Sequence, residues 1–295
     1  MTLFKIAIKN AYSKPGRFLL TSLAVLIGVA LTTAVFVFTD SLRTTFGSLS
    51  EDIESGYDLA VRSEIPFGNR LNAAPIDLDL PDKLAEIPGV VGIQPRVIEF
   101  GIVPNKADGS AALAERGPNI GVNWEDSAIT PRLYVAEGDK PTSITEFTVD
   151  VDTAEDDKFV IGEKYNLQTP NGLTELTLVG TFTFADPDEN ALVGAKLVAM
   201  DTQSAVTLFN SGVGFDDITL SIDQGFTATE VVRDIEDLLA EGLEVISVDD
   251  LVEEQADTFN AFINIFQTIL LVFAFVILIV AAFIIYNVFQ LSSDN

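Results

Sequence analysis

The chain has 295 residues, 48% of them hydrophobic, and a formal net charge of −27. Its mean hydropathy is nevertheless positive, at +0.33, so the apolar and anionic signals must lie in different stretches. With no cysteine and no histidine, it has no disulfide framework, thiolate zinc site, cysteine nucleophile or imidazole acid–base chemistry.

Residues 18–39 and 258–293 carry no charge, whereas 40–257 hold 43 of the 44 acidic residues and 13 of the 17 basic ones, a net charge of −30. That segregation argues against a soluble globular enzyme and for two membrane segments enclosing one aqueous domain. It also argues against nucleic-acid binding, because such a domain repels a phosphate backbone.

Residues 2–14 (TLFKIAIKNAYSK) place Phe4, Ala7, Ile8, Ala11 and Tyr12 at helical spacing, with Lys5 and Lys9 on another face. This predicts a short amphipathic helix. It is either an interfacial helix poised to touch a cytoplasmic partner or an anchor that only sets orientation. Pro15-Gly16 ends it.

Phe18–Phe38 is long enough to cross a bilayer core of roughly 30 Å. Its apolar stretch exceeds that of a cleaved signal peptide, and Thr-Thr-Ala before Val35 is a poor cleavage site, so a signal anchor is the expected reading. Ala24, Gly28, Ala30, Thr32 and Thr33 suit close helix contact, or are simply tolerated there. Lys5, Lys9, Lys14 and Arg17 keep the N-terminus cytoplasmic. Residues 40–257 then lie outside, and the chain returns after about residue 288.

The stretch 39–53 spaces Leu42, Phe46, Leu49 and Ile53 as a helix and predicts that the first membrane helix continues outward as a stalk. Then come a strand at 57–63, a short helix at 81–89, a strand at 90–103, a hairpin at 159–185 turning on Pro170-Asn171-Gly172, a strand at 191–200, a helix at 201–210 capped by Asp201, and a strand at 215–223. The stretches 64–80 and 104–119 read as loops. Residues 227–242 predict the clearest soluble helix: Thr227 and Glu230 form a capping box, Val231, Ile235, Leu238 and Leu239 the core face, and Gly242 the end. A strand at 243–248 leads into a second stalk with Asp249 as cap and Val252, Ala256, Phe259 and Ile263 on one face. That stalk runs without Pro or Gly into the apolar segment Thr268–Ile285.

The fold class is therefore an α+β outer domain, of β-α-β units plus a β-hairpin layer, between two transmembrane helices with helical stalks. The expected divisions are a cytoplasmic amphipathic helix at 1–17, membrane helix one at 18–39, an extracytoplasmic domain at 40–257, membrane helix two with its stalk entry at 258–290, and a cytoplasmic end at 291–295.

Catalytic candidates are confined to acidic clusters. Asp150, Asp152, Glu155, Asp156 and Asp157 crowd one stretch, which reads as the start of a short helix. Asp186, Asp188, Glu189 and Asn190 crowd another, but Leu197 falls where a calcium loop needs its bidentate Glu. No G-x-x-x-x-G-K-[ST] or G-x-S-x-G motif occurs. Trp124 reads as a buried anchor. No catalytic, cofactor-binding or metal residue is assigned, so the chain is expected not to be an enzyme.

The sequence resembles the FtsX-like/MacB-like permease subunits of ABC transporters. The resemblance lies in residues 5–46, YDLAVRSE (57–64), Pro-Gly-Val (88–90), IGVNW (120–124), TAEDDKFVIGEKYNL (153–167), EEQADTF (253–259) and FIIYNVF (283–289). It implies a MacB-like core domain outside the membrane and a cytoplasmic ABC ATPase as partner. It also implies a homodimer or a second permease half, and contact with membrane lipids. The activity implied is export or extraction of lipid, lipoprotein, peptide or drug-like substrates by mechanotransmission, without a cofactor. The family carries further membrane helices, so a chain ending at Asn295 is expected to be a fragment. Two other readings compete: a two-helix membrane receptor with an outer ligand-binding domain, which fits the topology equally well, and an outward-facing hydrolase using carboxylates, which needs paired acids in a pocket.

Overall fold

The structure is a computed structural model that describes residues 15–54, 56–64, 73–115, 117–125, 131–184, 194–209 and 212–291. The amphipathic stretch before Pro15 and the cluster at 186–190 lie outside these residues. The chain divides into two compact units, Met1–Ser48 with Glu254–Asn295, and Leu49–Glu253.

The first unit is built from two long helices. Helix α1, Pro15–Glu54, has 40 residues, and the last helix of the chain, Val248–Leu291, has 44. At 1.5 Å per residue each is about 60 Å long or more, roughly twice a bilayer core. Among the described residues, Leu26–Thr44 and Val248–Ile277 are long and apolar enough to cross a membrane. Half-buried and buried positions recur at heptad spacing in both: Gly28, Thr32, Val35, Thr39 and Leu42 in one, Ala256, Asn260, Ile263, Gln267, Leu270 and Ala274 in the other. Of the small residues singled out for helix contact, Gly28 and Thr32 lie on this seam, whereas Ala30 and Thr33 are exposed. The helices meet where the Arg43 guanidinium donates to Asn264 Oδ1 at 2.5 Å and to Gln267 Oε1 at 3.5 Å. The remaining faces expose large apolar side chains, Phe36, Phe38, Phe262 and Phe273 among them.

The second unit begins with a four-stranded antiparallel sheet. Its strands are β1 (Leu59–Ser63), β2 (Val90–Arg96), β11 (Asp217–Ile222) and β12 (Leu243–Ser247), in the order β12-β1-β11-β2. Helix α2 (Leu80–Ala85) joins β1 to β2, and α5 (Ala228–Glu236) joins β11 to β12. These are two interleaved β-α-β units, each with a strand of the other between its own two. The expected pair of units is thus present. Leu80, Leu84, Val231 and Ile235 of the helices pack in one core with Leu59, Val61, Ile218 and Leu220 of the sheet.

A mixed sheet is inserted between β2 and β11. Its strands are β3 (Ile98–Phe100), β4 (Val103–Pro104), β5 (Asn119–Asn123), β6 (Leu133–Gly138), β7 (Glu146–Asp150), β8 (Lys164–Thr169), β9 (Gly172–Phe184) and β10 (Lys196–Met200). They run in the order β3-β5-β10-β7-β9-β8-β4, with β6 also on β9. Helix α3 (Val151–Asp157) follows β7, and α4 (Thr202–Leu208) follows β10. Strand β10 serves two cores. Val198 and Met200 join the main core, which also takes Phe147 and Leu178. Leu197 and Ala199 join a smaller one with Trp124 and Phe182.

Several expected elements need correction. The strand expected over 90–103 is three strands. Val97 carries the chain from one sheet to the other, and Gly101 turns it with φ +83°. Helix α5 ends at Glu236, well before Gly242, and Leu238 is exposed. The cap of the last helix is Ser247, not Asp249: its hydroxyl accepts from Asp250 N at 3.0 Å and donates to Asp250 Oδ2 at 2.6 Å. In the hairpin the two central residues are Pro170 and Asn171, since Thr169 faces Gly172, and the positive φ falls on Gly172 alone. Proline fits the first central position because its ring already fixes the φ required there.

Candidate functional site

The helix layer covers one face of the four-stranded sheet. The other face presents Arg62, Gln94, Arg96, Thr219 and Ser221, all of them buried. Buried polar faces are uncommon in a sheet, and here the strand register explains this one. Glu244 lies opposite Arg62, Arg62 opposite Asp217, and Asp217 opposite Arg96. One level of the sheet is therefore a row of alternating charge across all four strands, the arrangement that favours cross-strand pairing.

Two bonds close the row. Arg62 Nε donates to Glu244 Oε1 at 2.6 Å, and Arg96 Nε donates to Asp217 Oδ1. The end of the row is taken by helix α1. Its last residue, Glu54, accepts from Arg96 Nη1 on both carboxylate oxygens, each at 2.8 Å. Both side chains are 4% exposed. Burial disfavours the Arg96 charge, but Asp217 and Glu54 more than reverse this and hold the guanidinium above its ordinary value.

A second pair flanks the row. Arg132 Nε donates to Glu125 Oε2 at 3.0 Å. Burial, followed by the nearby Arg96 charge, pushes Arg132 down to about 10, and Glu54, Asp217 and Tyr57 lie within its electrostatic reach. Asn123 holds the crossover between the sheets. Its Oδ1 accepts from Val97 N at 2.8 Å, and its Nδ2 donates to Pro95 O at 3.0 Å and to Thr202 Oγ1 at 3.1 Å. Asp216 adds a further hold, accepting from Ile98 N at 2.7 Å.

Three arginines, Arg62, Arg96 and Arg132, are bonded here to four carboxylates, Glu244, Asp217, Glu54 and Glu125. One helix end is bonded into a sheet whose second strand leads directly into the other sheet. Sequence reasoning missed it because Glu54, Arg96 and Asp217 stand far apart in the chain. The available signal was an arginine in each of two strands with mainly apolar residues, Arg62 in β1 and Arg96 at the end of β2.

The acidic cluster at 150–157 is divided by the fold. Asp150 caps α3, accepting from Thr153 N at 3.0 Å, Thr153 Oγ1 at 2.6 Å and Leu197 N at 2.9 Å. Burial raises its pKa despite those bonds. Asp157 at the other end takes Lys106 at 2.9 Å and also Lys196. Lys106, Lys196, Asp157, Asp152, Asp156 and Glu115 line a groove of about 650 Å³. One carboxylate engages both of its lysines, and the remaining named groups are acidic. Trp124 is a buried anchor, set edge-on to Phe182 at 5.9 Å.

Residues 18–238 match the family model described as MacB-like periplasmic core domain. Among solved structures, the periplasmic region of MacB from Actinobacillus actinomycetemcomitans is similar at 10% identity and a TM-score of 0.47, over 68% of this chain and 94% of that one. The extracellular domain of the noncanonic ABC-type transporter YknZ from Gram-positive bacteria is similar at 12% identity and a TM-score of 0.42, over 64% of this chain and 98% of that one. No curated protein matches the sequence.

Proposed function

The chain belongs to the MacB-like periplasmic core domain family, and we propose that it works as the permease part of an ABC transporter whose energy comes from a separate cytoplasmic ATPase. In this reading the chain contributes movement and no covalent chemistry. ATP-driven displacement of the membrane helices shifts the outer domain, which exports or extracts a lipid, lipoprotein, peptide or drug-like substrate. The N-terminus lies in the cytoplasm, as Lys5, Lys9, Lys14 and Arg17 favour, and the permease acts as a dimer or with a second permease half.

The observation that carries this reading is the ending of α1. A helix of 40 residues, with an apolar part fit for a bilayer, finishes on a buried carboxylate gripped at both oxygens by Arg96. A helix end held in this way can pass a displacement to the strands bonded to it. The test is copurification of the parent permease with its ATPase, followed by measurement of ATP hydrolysis in nanodiscs. Association is expected, with turnover that falls when a disulfide fixes the two long helices together. Absence of association, or turnover indifferent to the crosslink, would overturn the reading.

A further inference from the structure

Arg62, Arg96, Arg132 and Arg233 each bond a carboxylate. Arg43 does not. Its Nη2 donates to Asn264 Oδ1 at 2.5 Å and to Gln267 Oε1 at 3.5 Å, both on the last helix, and it has no ion pair among the described residues, Asp40 included. A guanidinium only donates hydrogen bonds, so it engages the oxygen of each carboxamide. Nε and Nη1 of Arg43, Nδ2 of Asn264 and Nε2 of Gln267 are then donors without a partner among the described residues. Arg43 is half-buried and Asn264 exposed, so the cluster is open to a further molecule. What it still offers is N–H groups and one positive charge that no carboxylate neutralises. That chemistry recognises an anion with several oxygens, a phosphate above all, because a guanidinium fork matches two of them at once.

The place of the cluster along the helices narrows the anion further. Arg43 is the one basic residue between Arg17 and Arg62, and none follows Arg233. It is therefore the one cation that flanks either membrane segment on the side of the outer domain. It stands just past the uncharged stretch 18–39, about 6 Å further along the helix, and the polar layer of a bilayer is about 5–7 Å deep on each side. Its guanidinium, fixed against the other helix, lies at the depth of lipid headgroups. We propose that Arg43, with the amide N–H groups of Asn264 and Gln267, binds the phosphodiester of one phospholipid in the leaflet next to the outer domain. The phosphate bridges the two long helices at the point where they leave the bilayer. The inference needs those helices in a bilayer and is independent of the transport reading.

The experiment is solid-state NMR of the full chain in phosphatidylglycerol bilayers, with arginine labelled on its guanidino nitrogens and dipolar dephasing of those nitrogens by phosphorus as the readout. Arg43→Lys keeps a cation against both carboxamides and removes the labelled group, so wild type minus variant isolates the Arg43 signal and the other arginines cancel. Arg43→Gln gives the same subtraction should the lysine chain not fold. The Arg43 signal is expected to lose at least half its intensity to phosphorus dephasing. In bilayers of digalactosyldiacylglycerol, which contains no phosphate, with inorganic phosphate added to the buffer, the same signal is expected to stay undephased. Two results overturn the proposal. An Arg43 signal untouched by phosphorus in phosphatidylglycerol would make Arg43 a clamp between helices and nothing more. Equal dephasing in the galactolipid with inorganic phosphate would make the cluster a site for free anions. Neither arm contains an ATPase, so failure of the lipid site and failure of the permease reading are seen separately.

Discussion

Asn123 shows how much one side chain decides at the crossover between the sheets. It is 2% exposed and satisfies Val97 N, Pro95 O and Thr202 Oγ1 together. Asn123→Ala leaves the buried Val97 N–H without its acceptor, at about 1–3 kcal/mol, while Pro95 O keeps the Gln94 Nε2 donor at 3.0 Å. We expect a loss of about 2 kcal/mol, read by urea denaturation with Trp124, the one tryptophan of the chain, as fluorescent probe. Asp157 gives a pH prediction. Burial opposes its charge, but Lys196 and then Lys106 outweigh it and hold the carboxyl below its ordinary value of 3.8. A depressed acid contributes stability that is complete above the unfolded value and is lost as the pH falls through the folded one. Asp157→Asn should therefore lower stability at neutral pH and remove part of the decline below pH 3.8, seen by comparing denaturation midpoints of the two proteins across that range.

At the scale of elements, local signals were readable wherever the interaction stayed within a few residues. The Thr227 and Glu230 capping box is formed in full, Asp201 caps its helix as expected, and the acidic cluster at 150–157 does open a short helix, with Asp150 as its cap. Thr227→Ala should cost about 1 kcal/mol, measured as a shift in denaturation midpoint with unchanged slope. Strands β5, β6 and β7 were not readable. In β5 the inward positions are Asn119, Gly121 and Asn123, which inverts the usual alternation of apolar inside and polar outside. Gly121 is required there because a Cβ would meet Ile102 and Phe209 at under 3 Å. The end of α5 was misplaced for a related reason: Leu238 continues the helical spacing of the core face, yet the chain has already turned and exposes it.

For the whole molecule, the separation of apolar from anionic residues is the dominant fact. Residues 40–257 carry −30, while the main core of the outer unit draws on both sheets. Residues 49–253 produced alone should fold as a detergent-free monomer, stay soluble at high salt and show the same Trp124 fluorescence as the full chain. Sedimentation velocity and near-UV circular dichroism check this. Aggregation, or an absent near-UV signal, would mean that the unit needs its long helices to fold.

The sequence by itself determined the two membrane-length apolar helices, the acidic α+β domain between them, its two β-α-β units and the helix caps Asp201 and Thr227. Those features depend on composition, on short periodicities and on contacts within one turn of chain, and all of these are written locally. Only the tertiary structure decided the alternating row Glu244–Arg62–Asp217–Arg96 and its closure by Glu54. Each of these depends on which strands become neighbours and in what register. That choice is made by the burial of a shared core, through contacts between residues tens to hundreds of positions apart, and no short stretch of the chain contains it.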